Sequence, residues 1–411
     1  MADYLPQDVL VNIFTRLPIK TLLQCTSVCK SWHSLIVNPS FIDSHLNRPP
    51  TQAYNNAHHL LLVRTCSDDD EGRKELYSLH CDNEAFDEYA KLQFPFNKNY
   101  NRFYWIVGSC NGILCLTDNQ MTYVDNTILW NPTIQKWVRL PKPRVTFTSH
   151  GGFGHAIGFG FDAKSNDYKV VRIVRLLDFE SEVPPEIDLY SLSTGAWRNI
   201  SHLGLPCVIS GRATQAYLNG AAHWIGADME RRCIMFLSFH MGDEAFHGMS
   251  LPADVPFFPW WLIPAVIQVS LSVIEEKGFS YERSWCIWVM KEYGVASSWT
   301  KLIDVGIGEQ FDMPIGFRKE GELIIKARGD LISYSPRDAQ VKGLGIRSNT
   351  GGWYDESLHT GAYVESLVLL GSSEKTKEDE VACEEEKEVE VGCGEEEIES
   401  TEAAETRVVA G

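Results

Sequence analysis

Hydrophobic positions near the start of the chain recur at helical spacing. Val9, Ile13 and Leu17 stand four apart, and Leu10 and Phe14 fill the adjoining row, which makes a wide apolar stripe on one short helix. Pro18 ends that helix, because the proline ring removes a donor and clashes with the preceding turn. A second helix is predicted through Leu22, Leu23 and Cys25. A third runs through Cys29, Trp32, Leu35 and Ile36, with Asn38-Pro39 as its stop. Between Leu5 and Leu46, twenty of forty-two residues are Val, Leu, Ile, Phe, Trp or Cys. A three-helix unit cannot enclose so many, since domains this small bury only about 60% of their surface. Either the rest of the chain covers the remainder or a separate partner does.

The pattern then changes. Arg48 to Ala57 is polar and bears Pro49-Pro50, which predicts a linker. From His58 to about Leu370 the apolar runs are short, β-branched and aromatic, with turn residues between them, which predicts an all-β region. A weak repeat joins a strand, a polar turn, a landmark residue and a second strand. The landmarks are Phe86, Trp137, Trp197, Phe246, Trp299 and Val341, spaced 51, 60, 49, 53 and 42 residues apart. This approaches the ~40–50 residues of a propeller blade. Each landmark is expected to follow a hairpin turn and pack between adjacent sheets. Six blades are the expectation, closed by YVESLVLL near Tyr363 against the early HHLLLVRT; independent β-sandwiches are the competing fold. Val255 to Ile274 has no charge, but its prolines and the alternation in AVIQVSLSVI predict a loop leading into one strand rather than a membrane helix.

Charge alters the picture at one end. The formal net charge is −18, and from Gly371 onward fifteen Asp and Glu face four Lys and Arg, or −11, leaving −7 for the other 370 residues. The last segment, with few aromatics, is expected to be disordered. An acidic body argues against nucleic acid as a partner. The eleven Cys contain no CxxC pair, and no secretory signal opens the chain, so they read as reduced thiols of the cytosol or nucleus. Cys25 and Cys29, four apart in a helical pattern, read as packing.

Candidate chemistry is sparse. The sequence has no GxSxG, P-loop or HExxH, and the run GGFGHAIGFGF leads into a strand rather than the helix a dinucleotide site requires. His58-His59, His150 and His155 are better read as surface or turn residues than as metal ligands, and Cys233 and Cys286 as core rather than nucleophiles. No catalytic residue, metal or cofactor is expected. A hydrolase or carbohydrate-binding propeller with a helical head remains a rival reading.

The string LPQDVLVNIFTRLPIKTLLQCTSVCKSWHSLI resembles an F-box, the module by which substrate receptors dock on the Skp-type adaptor of cullin-based ubiquitin ligases. GSCNGILCL, LWNPTIQKWVRLP, GFGFDAKSNDYKVVRI, YLNGAAHWI and DLISYSPRD resemble the associated interaction domain of plant F-box proteins, often labelled F-box/kelch-repeat. The resemblance implies an α+β multidomain chain. It would comprise a small three-helix F-box at 1–48, a linker at 49–58, a large propeller-like recognition domain at 59–371 and a disordered acidic tail at 372–411. It also implies adaptor contacts from Leu5, Pro6, Ile13, Leu17, Pro18, Val28, Cys29, Lys30, Trp32, Leu35 and Ile36, with cullin reached through the adaptor and an unidentified protein substrate held by the β-domain. Trp260 and Trp261 are the candidate substrate contacts, because paired exposed aromatics are typical anchors. No membrane partner is expected. An F-box scaffold working outside a ligase is the alternative within this family.

Overall fold

The computed structural model describes residues 5–48, 60–69, 72–95, 104–118, 126–151, 153–176, 184–209, 215–228, 230–252, 254–256, 262–277, 284–306, 311, 314–348 and 358–369. The linker at 49–58, the acidic tail and the His58-His59 pair lie outside these residues.

The head has four helices rather than three: α1 (Gln7–Phe14), α2 (Ile19–Thr26), α3 (Lys30–Ile36) and α4 (Pro39–Leu46). Asn38-Pro39 begins a helix instead of ending the unit. The Asn38 side chain accepts from the Ser40 amide at 2.9 Å, and Pro39 occupies the first turn, where its missing N–H is no loss. Cys29 lies outside both neighbouring helices, as the extended residue preceding α3.

Six sheets follow. The first blade contains β1 (Leu60–Asp69), β2 (Gly72–Cys81) and β3 (Glu88–Leu92). The second is β4 (Tyr104–Cys110), β5 (Ile113–Asp118), β6 (Thr127–Asn131) and β7 (Lys136–Arg139). The third is β8 (Phe153–Asp162), β9 (Asp167–Leu176), β10 (Glu186–Ser191) and β11 (Ala196–Asn199). The fourth has β12 (Val208–Ile209), β13 (Ala216–Leu218), β14 (Ala221–Asp228), β15 (Cys233–His240) and β16 (Ala245–Ser250). The fifth is β17 (Leu262–Ile267), β18 (Ser270–Lys277), β19 (Ser284–Met290) and β20 (Trp299–Gly306). The sixth is β21 (Pro314–Phe317), β22 (Leu323–Ala327), β23 (Asp330–Tyr334) and β24 (Val341–Arg347). The last strand, β25 (His359–Tyr363), returns to the first blade and pairs antiparallel with β1, Leu60 opposite Tyr363. The ring closes as expected, although the closing strand ends at Tyr363 and the residues after it leave the sheet.

Alternation along each strand builds the ring. Leu60 and Leu62 face a core shared with Ile106, Leu114, Leu116 and Trp130 of the second blade. Leu61 and Val63, on the opposite side of the same strand, face Ile324, Leu331 and Leu344 of the sixth. A strand buried on both faces needs apolar residues at consecutive positions, which is why HHLLLVRT shows no polar alternation. Corresponding cores join every other adjacent pair of blades. Salt bridges reinforce two of these seams: Arg318 to Asp82 at 2.7 Å, and Lys169 to Glu244 at 2.8 Å.

The repeat landmarks explain themselves in this frame. Phe86, Trp137, Trp197, Phe246 and Trp299 each pack into the seam with the preceding blade. Two of the indoles also donate backwards, Trp197 to the Pro141 carbonyl at 2.7 Å and Trp299 to that of Ser250 at 3.0 Å. Val341 departs from the pattern, being 50% exposed. AVIQVSLSVI also differs from expectation. It forms a hairpin, not one strand, because Gln268 adopts a left-handed φ of 56° and Ile267 pairs with Ser270. Among the described residues, no helix is long and apolar enough to cross a membrane.

Candidate functional site

In the head, α1 carries two apolar rows that do different work. Phe14 points inward at 2% exposure, with Leu10 and Val11 beside it, to meet Ile19, Leu22, Ile36 and Phe41. Val9 and Ile13 point outward, each 42% exposed. Leu5, just before α1, and Val28, between α2 and α3, are also exposed, at 48% and 61%. Four of the eleven large hydrophobic residues exposed among the described residues thus fall within the first 28 positions. Concentration on one small unit makes this a candidate interaction surface, whereas scattered apolar residues need no such account.

The eleven expected contacts divide by burial. Leu5, Pro6, Ile13, Pro18, Val28 and Lys30 are exposed; Leu17, Cys29, Trp32 and Leu35 are half-buried. Trp32 packs its edge on Phe14, with ring centroids 4.9 Å apart. Ile36 is a correction: it is wholly enclosed in the head's own core and has no surface to offer. Val9, one turn before Ile13 on the same row, is exposed to the same extent.

The opposite side of the head rests on the propeller. Leu367, from the segment after β25, completes the head's core together with Ile134 from the turn between β6 and β7. Ile42 and Leu46 of α4 join Val368 and Leu369 over the seam between the second and third blades. The reading in which the rest of the chain covers the surplus apolar surface therefore holds in part: the propeller covers one side, and Val9 and Ile13 on α1 stay exposed. Arg48 donates to the carbonyls of Thr15 at 2.8 Å and Leu17 at 3.2 Å, tying the end of α4 to the end of α1. Burial lowers the pKa of His45, which sits on the Leu17 carbonyl at 3.0 Å.

Strand β8 of the third blade has an unpaired edge, and side chains satisfy it. Gln215 accepts from the Phe159 amide at 2.9 Å and donates to the Phe159 carbonyl at 3.1 Å; Tyr217 does the same for Phe161 at 2.9 and 3.1 Å. Burial pushes the thiols of Cys110 and Cys207 up to about 12 and raises that of Cys286, so they stay protonated and pack as small hydrophobes. Cys233 is half-buried at the start of β15. Among the described residues no group of His, Cys, Asp or Glu is arranged to hold a metal ion. Trp260 and Trp261 lie outside the described residues.

Comparison with known proteins agrees with both halves. An F-box-like pattern matches residues 2–47, and the pattern of the F-box associated beta propeller domain matches residues 72–368. F-box protein CPR1 of Arabidopsis thaliana is 28% identical over 326 residues, 73% of each chain. A second Arabidopsis thaliana F-box protein is 24% identical, covering 87% of this chain and 91% of its own. An F-box/kelch-repeat protein of the same plant is 27% identical, covering 80% and 87%.

Proposed function

The chain belongs to the F-box proteins that carry an F-box-associated β-propeller, and we propose that it is the substrate-recognition subunit of a Skp–cullin–F-box ubiquitin ligase. The observation that carries this reading is the open apolar face of the head, where Leu5, Val9, Ile13 and Val28 remain exposed after the propeller has covered the other side. A Skp-type adaptor would bury this face, with Pro6, Leu17, Pro18, Cys29, Trp32 and Leu35 around it and Lys30 at the rim, where a charge costs little desolvation. The adaptor brings the cullin, and the propeller holds a target protein. Ubiquitin transfer then gains from raised effective concentration, while the chemistry belongs to other subunits. This work is done in the cytosol or nucleus, where thiols stay reduced.

The test is capture of a purified Skp-type adaptor by the full chain, alongside Ile13→Asp and Val28→Asp. Both positions are exposed, so the variants should melt like the parent while capture falls at least about thirtyfold, as for a buried interface anchor. Recovery of cullin with the adaptor distinguishes a ligase subunit from a scaffold. Undiminished capture by both variants would remove this face from the interface.

A further inference from the structure

The segment after the closing strand is held from both sides. Asn131, 0% exposed at the end of β6, donates through Nδ2 to the Ser366 carbonyl at 3.0 Å, Ser366 Oγ at 3.1 Å and the Val368 carbonyl at 2.8 Å. Its Oδ1 accepts from the Thr133 amide at 3.1 Å, which fixes the amide's orientation. Tyr363 anchors the start of the segment, with its hydroxyl 2.9 Å from Thr133 Oγ1 and donating to the Gly112 carbonyl at 3.1 Å. Gly112 has φ 79°, and a Cβ there would sit 2.4 Å from Ser366 Oγ, so this turn is shaped for the segment to pass.

The outer side of the same segment meets the head. Leu367, 1% exposed, enters the head's core, and Val368 and Leu369 lie with Ile42 and Leu46 of α4. Leu369 is held at φ 74°, an unfavourable conformation for leucine that surrounding packing must maintain. Nearby, Lys20 of α2 lies 5.0 Å from the centroid of the Tyr89 ring, whose hydroxyl donates to Glu365 at 3.2 Å. The strap is therefore one short stretch of chain whose polar groups bond the propeller, whose Leu367 enters the head's core, and whose Val368 and Leu369 lie between α4 and the core of the second and third blades.

We propose that the strap Ser366–Leu369, locked by Asn131, sets the orientation of the F-box head on the propeller. Leu367 and Asn131 are positioning residues: neither belongs to the open face of the head, and together they fix how that face is aimed relative to the propeller. The importance of this aim for ubiquitin transfer rests on the proposed function; the positioning itself does not.

The experiment compares the full chain with Asn131→Ala, Leu367→Asp and the control Val269→Asp, whose position is 83% exposed in the β17–β18 turn. Each is measured by small-angle scattering and amide exchange, free and with a purified Skp-type adaptor. The Asn131 and Leu367 variants should show a larger maximum dimension and exchange of the α4 amides raised at least about tenfold. Their propeller melting transition should be retained and adaptor capture should change less than about threefold, as expected for changes outside an interface. The control should match the parent. If Leu367→Asp disorders the head, Asn131→Ala, which leaves every head residue in place, decides the matter. Scattering superimposable on the parent for Asn131→Ala, or a change arising only from propeller melting, overturns the proposal. Failure of the parent itself to capture the adaptor would count against the ligase reading and leave the scattering of the free chain decisive for the strap.

Discussion

His223 joins two blades through one imidazole. Its Nδ1 donates to the Ala216 carbonyl at 2.9 Å and its Nε2 accepts from the Tyr293 hydroxyl at 2.8 Å. A carbonyl can only accept, so this pair of bonds fits the neutral ring with its proton on Nδ1. Burial, above all, brings the pKa down from 6.5 to about 4. Between those values the unfolded chain takes up a proton that the native protein refuses, so stability is complete above about pH 6.5 and declines as pH falls toward 4. The loss from this one group approaches about 3 kcal/mol at the bottom of the window. His223→Gln should flatten the pH dependence of the urea midpoint between pH 6.5 and 4; an unaltered slope would assign the acid sensitivity elsewhere. His155 and His359, also lowered to about 4 by burial and a neighbouring arginine, contribute with the same sign. None of this was legible in AYLNGAAHWI, because the hydroxyl partner lies 70 residues further on. Ile36 was misplaced for a related reason. When both rows of a short helix are apolar, as in this head, spacing identifies the rows without saying which one a neighbour covers.

At the scale of elements, periodicity was a good guide and the turns were less so. The glycine run read correctly as a strand, now β8, but the purpose of its glycines was hidden. A Cβ at Gly158 would lie 2.5 Å from the Trp224 ring and 2.9 Å from the Ala222 Cβ, and one at Gly160 would lie 2.2 Å from the Tyr217 ring. The alternate glycines let aromatic rings of the fourth blade approach the backbone of the third. Gly158→Ala should therefore cost about 1–3 kcal/mol by overpacking. Gly154→Ala, whose nearest neighbour would be 3.9 Å away, should stay within about 0.5 kcal/mol of the parent. Equal melting temperatures for the two variants would contradict the packing argument. Where sequence reading erred, local chemistry outweighed pattern: the left-handed Gln268 split one predicted strand into a hairpin, and the Asn38 cap turned a predicted stop into α4.

The six sheets form a ring whose seams each require both neighbours. Its blade count was legible because five of six landmarks do the same job in successive seams, whereas the closing strand was legible only in part: of YVESLVLL, Tyr363 alone pairs with β1, and the rest of β25 is the less apolar His359–Ala362. The seat of the head was not legible, since it depends on Ile134 and Leu367, residues far apart in the chain that meet only once the ring exists. Deleting β25 and everything after it should leave the inner edge of β1 unpaired and expose the seam between the sixth and first blades. A chain ending at Leu358 should lose the single cooperative melting transition and aggregate, while one ending at Gly371 should melt like the parent. Differential scanning calorimetry and light scattering separate these outcomes, and a well-folded monomer ending at Leu358 would show that closure by β25 is dispensable.

Closure also imposes a timetable. Leu60 pairs with Tyr363, so at the ~5–20 residues per second of synthesis its strand is made roughly 15–60 s before its neighbour. The head is older still, yet Leu367 reaches its core only after all six blades have been made. The segment that follows the ring finishes the head that precedes it, and a chain released before Leu367 carries a head that has never been seated.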